Sequence, residues 1–410
     1  MNEQSLREQL REAPVPGAAE AETRGRRVVE AAFAKRAQRP EHRRPLPRLA
    51  LALAATTLLA ALLLSPAGAA VRGWIGDVFE PGVRNAEPAL TRIPGGGHLA
   101  VSSPAGAWAV QPDGERRLLG RYREATWSPH GLFLAAAAGR TLTAVEPDGT
   151  PRWSITAPRP IFDPRWSPAA YPYRVAYRSG DELRVVFADG TQQTPLHAKV
   201  APVPPSWSPN GLPYLAFVSR QGQLTIAEAN GGRRVASVPA LAGIAKVEWG
   251  SDGELLEASP AAVRLRPVAP VKLAGGLRLG KPRPVALPSS ARIVSAALAP
   301  DGSALAVLRQ FGGIAQTRAE VDLVDLGSGE VRRLFRTPGR LGEVVWSPDS
   351  SRLLITWPQA DQWLFVPVRG RARVQAVGDI SKQFAPGAGE PSFPAISGWC
   401  CPPTASDPGA

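Results

Sequence analysis

The sequence predicts an all-β fold: a β-propeller of seven blades, preceded by one transmembrane helix and a short cytoplasmic tail. Three observations predict it. A turn of the form Trp-Ser-Pro-Asx-Gly recurs along the chain. Each recurrence is followed by an apolar strand and then by a second turn containing Gly. Ahead of them all lies Leu49 to Val71, an uncharged stretch of 23 residues.

The repeats set the fold. They run Trp127-Ser128-Pro129-His130-Gly131, Trp166-Ser167-Pro168, Trp207-Ser208-Pro209-Asn210-Gly211, Trp249-Gly250-Ser251-Asp252-Gly253, Leu298-Ala299-Pro300-Asp301-Gly302 and Trp346-Ser347-Pro348-Asp349-Ser350, separated by 39, 41, 42, 49 and 48 residues. That period is the length of a propeller blade. Pro fixes φ, and Asn, Asp and Gly tolerate the left-handed region, so each motif makes a tight turn. An apolar strand follows, such as Tyr214–Val218 or Arg352–Thr356. A third strand ends in a second turn, such as Pro147-Asp148-Gly149 or Ala188-Asp189-Gly190, which is a strong hairpin signal. A polar strand closes each unit of four. The Trp residues, with Pro129, Pro168, Pro209, Pro300 and Pro348, read as structural repeat positions. Each Trp is expected to fill the space between blades, its indole N–H finding a partner near the turn.

These turns resemble those of TolB-like and WD-repeat propellers, over roughly residues 98–401. The resemblance implies a scaffold that binds proteins or small ligands on its faces, without naming which. The motif at 249 departs from it by lacking Pro, and the one at 298 by lacking Trp; residues 254–290 are irregular.

Blade count follows from the ends. His98–Ser102, Ala107–Gln111 and Arg116–Gly120 read as strands two to four of a blade without its first strand. Phe393–Cys401, an apolar stretch with Trp399 near its end, supplies it. A composite seventh blade would leave no free sheet edge. A ring of six, with 98–120 packed irregularly, is the alternative.

Leu49–Val71 is long enough to cross a ~30 Å hydrocarbon core as a helix. Lys35, Arg36, Arg39, Arg43, Arg44 and Arg48 precede it, opposed only by Glu41, which places the N-terminus in the cytoplasm and the propeller outside, at the cell membrane. The competing reading is a signal peptide cleaved at Ala67-Gly68-Ala69. The chain thus divides into a basic, partly helical tail (1–48), a span (49–71), a linker (72–97), the propeller (98–401) and a disordered C-terminus (402–410). In the tail, Val28, Val29, Ala32 and Phe33 recur at helical spacing. Residues 20–36 are therefore a candidate helix for a cytoplasmic protein partner. The layout resembles that of membrane-bound anti-sigma factors, although the zinc-binding His and paired Cys of many of these are absent.

The net charge is +13. The basic residues, nearly all Arg, are interspersed with acids, and no basic helix appears, so nucleic acid is not an expected partner. Cys400 and Cys401 are adjacent; they form a vicinal disulfide or stand as two thiols. His42, His98, His130 and His197 lack metal-ligand spacing, and Asp252, Asp301 and Asp349 read as turn formers. No catalytic, cofactor-binding or metal-binding residue is assigned. The function read from the sequence is a membrane-anchored extracytoplasmic binding, scaffold or sensor module with a protein or small-ligand partner on a propeller face, relaying to the cytoplasm through its tail. The alternative is an extracytoplasmic propeller enzyme, a hydrolase or lyase, with its site at the central channel.

Overall fold

The computed structural model describes residues 86–401 apart from 169–171, 198, 210–211, 272–275, 313–316, 371–372 and 386–390. The predicted tail, the span at 49–71, most of the linker and the segment 402–410 lie outside the described residues. No helix among the described residues is long and apolar enough to cross a membrane.

Blades arise because two kinds of strand alternate in the sequence. Tyr214–Val218 (YLAFV) and Arg352–Trp357 (RLLITW) are near-continuous apolar runs, which suit strands covered on both faces. Fourth strands such as Pro151–Thr156 are largely exposed on the outside of the molecule.

Among the described residues there are seven antiparallel sheets. The composite one is numbered blade 1. The first strands of blades 2 to 7 are Glu124–Trp127, Ile161–Trp166, Ser206–Trp207, Lys246–Trp249, Arg292–Leu298 and Val344–Trp346, and that of blade 1 is Ala395–Cys400. These first strands touch one another in ring order, and Ala395–Cys400 touches both Val344–Trp346 and Glu124–Trp127, so the ring is closed. The buried apolar residues form seven clusters, and each fills the gap between two adjacent blades.

Closure is by backbone pairing. Ala395–Cys400 runs antiparallel to His98–Ser103, with His98 opposite Cys400, Leu99 opposite Trp399 and Ser102 opposite Ala395. The fold is a seven-bladed propeller, and the six-bladed alternative is set aside. A short helix, Ile380–Gln383, precedes the closing strand. Ile380 and the adjoining Phe384 are buried with Trp108 and Trp363 in the seam between blades 7 and 1.

Blade 5 explains the irregular stretch at 254–290. Its third strand, Val263–Val271, is nine residues long and takes two short partners, Gly276–Leu279 at one end and Arg283–Pro284 at the other. Pro267, Pro270, Pro282 and Pro284 remove ladder donors here, so no single outer strand can pair along its length.

Candidate ligand site: the central channel

The first strands surround an open channel of about 1180 Å³. Its lining runs from Arg292 and Arg340 at one end to Pro168 and Pro300 at the other. The inner edge of each blade would face the channel with unpaired backbone N–H groups, which are costly if left without partners. Side chains of the preceding blade meet five of them. Glu124 Oε1 accepts from Asp163 N at 3.0 Å, Ser206 Oγ from Trp249 N at 2.9 Å and Glu248 Oε2 from Leu298 N at 3.1 Å. Ser295 Oγ accepts from Val344 N at 3.3 Å and Glu343 Oε1 from Ile396 N at 2.8 Å. The inner edges are stitched blade to blade.

This stitching fixes the electrostatics of the lining. Glu248 also pairs with Lys246 at 3.1 Å, and Lys246 Nζ donates to Ala296 O at 2.7 Å. Burial pushes the Glu343 carboxyl above the ordinary carboxylate range, opposed by the Ile396 N–H and by the charge of Lys246. Arg165, Arg292 and Arg340 complete the charged lining, interspersed with Pro168, Pro204, Pro205 and Pro260. Glu248 and Glu343, like Glu124, are thus each held by a backbone N–H of the next blade. None of these lining residues stood out in the sequence. Glu124 and Glu343 each lie three residues before a motif Trp, but two instances in seven blades are too few to mark a position.

The repeat positions sit behind the channel wall. Trp127, Trp166, Trp207 and Trp346 are buried, and Trp249 is half-buried. Pro129, Pro209 and Pro348 are half-buried in the turns, and Pro168 and Pro300 are exposed. In three motifs the indole finds its partner beside the motif of the preceding blade, whereas Trp127 Nε1 is buried without one among the described residues. Trp166 Nε1 donates to Thr126 O at 3.2 Å, Trp207 Nε1 to Arg165 O at 2.8 Å and Trp346 Nε1 to Ala297 O at 2.8 Å. In each case the acceptor directly precedes the motif position of the preceding blade, so the indole is an inter-blade latch. The motif Ser holds the turn. Ser167 and Ser347 are buried, and their Oγ atoms accept from Arg174 N at 3.0 Å and Arg352 N at 2.9 Å. Asp252, Asp301 and Asp349 each accept the N–H two residues on. At the last motif, Ser350 adopts the left-handed conformation (φ 57°) that Gly takes elsewhere, and its Oγ accepts from Asp301 N at 3.1 Å.

The described histidines lie apart. His130 Nε2 is 2.7 Å from Tyr173 Oη, His98 packs on Trp127 and His197 on Phe217. Among the described residues, no group of three His, Cys, Asp or Glu side chains is placed to hold a metal ion. Of the two states left open for the cysteines, the structure has the disulfide, Cys400 to Cys401. Their sulfurs lie 3.2 and 3.5 Å from Ser128 O, under the first motif turn. Gly131 suits this place, since φ is +66° and a Cβ would lie only 3.3 Å from Cys401 Sγ.

No protein-family model matches the sequence, and no curated protein matches it. The fold is similar to the β-propeller domain of Cps50 (Swd1) from Myceliophteria thermophila, at 16% identity and a TM-score of 0.51, over 68% of this chain and 95% of that one. Hsv2 of Kluyveromyces lactis (13% identity, TM-score 0.49, 69% and 94% covered) and hydrazine synthase of Kuenenia stuttgartiensis (17%, 0.44, 59% and 75%) are more distant in shape. At such identities the likeness concerns the fold alone.

Proposed function

We propose that the chain is a membrane-anchored, extracytoplasmic binding or scaffold module of TolB-like kind. Its central channel receives a ligand, and residues 20–36 carry the signal to a cytoplasmic protein. The observation that carries the binding reading is the channel lining. It is a roomy, open passage edged by Arg and Pro, and Glu248 and Glu343 in its wall are each held by a backbone N–H of the next blade. A hydrolase of the glycosidase kind would instead call for two carboxyls flanking one bond.

The extracytoplasmic placement is supported by the positive flank before Leu49–Val71 and by the Cys400–Cys401 disulfide, since disulfides persist in oxidising compartments. Protease treatment of spheroplasts tests the anchor: the propeller should be digested while a tag at residue 1 survives. A soluble mature chain beginning near Ala70 would overturn it. For the binding reading, the propeller and the tail are used as separate baits with photo-crosslinkers placed at channel residues. Crosslinks that map to the channel support a ligand site there; crosslinks confined to the outer strands overturn it.

A further inference from the structure

The mouth of the channel is electrically lopsided. On the side made by blades 2 and 3, Arg123 meets Glu124 at 3.0 Å and Arg178 meets Asp163 at 2.6 Å, while Arg165 donates to the Pro164 carbonyl at 2.8 Å and is only partly exposed. Arg123 and Arg178 also stack on Phe162, at 4.0 and 5.2 Å from the ring centre. On the side made by blades 6 and 7 stand Arg292 and Arg340. They lie on adjacent blades, each six residues before its motif position at 298 or 346, Arg292 at the start of its strand and Arg340 in the connection before Val344–Trp346. Both are exposed and both line the channel. Among the described residues, neither side chain has a hydrogen-bond or ion-pair partner.

The nearby charges do not cancel this pair. Lys246 and Glu248 neutralise each other at 3.1 Å. Glu343, which also lines the channel, is turned toward the Ile396 N–H. Two guanidinium groups on neighbouring blades therefore face an open passage without an internal counter-ion. A guanidinium presents a planar fork that matches a carboxylate in bidentate fashion. The channel beyond these two residues, about 1180 Å³ in all, has room for far more than a lone carboxylate.

We propose that this mouth receives an acidic peptide segment, with carboxylates on Arg292 and Arg340 and its chain running into the channel. The proposal rests on the binding reading above and names the class of ligand.

The test is a titration of a fluorescein-labelled oligoglutamate peptide with the full-length chain, followed by fluorescence anisotropy at low and at moderate salt. Saturable binding that weakens as salt rises is expected. The double variant Arg292→Glu/Arg340→Glu should lose about tenfold or more in affinity, as expected when two interfacial charges are reversed. Arg117→Glu, an exposed position on the outer strand of blade 1, should bind as the wild type does. Both mouth side chains are exposed, so the fold should survive; an unchanged melting curve checks this, and Arg292→Gln/Arg340→Gln serves as the milder version. Equal affinity of the wild type and the double variant overturns the proposal. So does absence of binding, or tighter binding of polyphosphate than of oligoglutamate. If oligoglutamate fails while the channel crosslinks of the preceding section are obtained, only the acidic-peptide assignment falls. If both fail, the binding reading falls with it.

Discussion

Blade 6 and blade 1 reach the same four-stranded sheet by opposite routes. Blade 6 is contiguous in sequence, with strands of seven or eight residues, yet it lacks the motif Trp and carries Leu298 instead. Its interior holds charge. Arg309 is fully buried, 2.6 Å from Asp322 and 3.3 Å from Glu320, and Arg333 closes on Glu320 at 2.8 Å. Blade 1 has strands of five or six residues drawn from two distant parts of the chain. It is held by aromatic packing around Trp108, Trp363 and Phe384 and by Trp399 Nε1, which donates to Gly96 O at 2.8 Å. One blade is local and carries paired charge in its interior. The other is non-local and secured by apolar contact and ring closure. The comparison teaches that the repeat signature marks where a blade begins, and does not say what holds it.

The sharpest way to break the contrast is to delete residues 393–401. The edge of His98–Ser103 would open, and the whole ring should lose its cooperative unfolding and aggregate through that edge. Light scattering and thermal melting check it; a monomer with the wild-type melting temperature would show the seam to be dispensable. Next in size, Trp346→Ala removes a buried plate and the latch on Ala297 that joins blades 6 and 7. A cost of ~3–5 kcal/mol is expected by chemical denaturation. The half-buried Trp249 should matter less; equal losses would mean that burial is not what sets the cost.

Within blade 6, Arg309→Met leaves buried Asp322 with only the partly exposed Arg333, 3.6 Å away, and should cost ~3–5 kcal/mol, whereas Arg309→Met/Asp322→Leu should recover most of it. A double variant no better than the single one would show that the network, and not the stranded charge, carries the stability.

The smallest effect is in pH dependence, where two carboxyls should act with opposite sign. Burial raises Glu343 above the ordinary range. Its folded form holds a proton that the unfolded chain has released, so its contribution is present at low pH and fades as pH rises through the folded value. Asp349 goes the other way. Burial alone would raise it, but Ser347 Oγ and the Ser351 N–H and Oγ donate to it and hold it below the usual carboxylate range. Its contribution is present above that range and is lost as pH falls. Urea melts across ~pH 3–7, the span in which carboxyls titrate, should show Glu343→Gln and Asp349→Asn changing the slope in opposite directions. Slopes changed in the same sense by both would refute the assignment.

Much of the ring was legible in the sequence because its signals are local. A Pro-Asx-Gly turn imposes its backbone wherever it occurs, so Trp207-Ser208-Pro209 and Trp346-Ser347-Pro348 announced their hairpins. The composite blade was legible because Phe393–Cys401 and His98–Ser102 each lacked a partner. The outer strands of blade 5 were not, because prolines there divide one strand position between two short segments. The channel was least legible. The bonds from Glu248 to Leu298 and from Glu343 to Ile396 span 50 and 53 residues. They depend on how closely adjacent blades approach, which no local pattern encodes.

The pairing of His98 with Cys400 also has a bearing on time. The partner that His98–Ser103 needs is made about 300 residues later. Synthesis at ~5–20 residues per second leaves that edge waiting for roughly 15–60 s. Until then the blades already made can form hairpins but cannot become a ring. The delay leaves edges open to chaperones, and the ring shuts only when the last strand has been made.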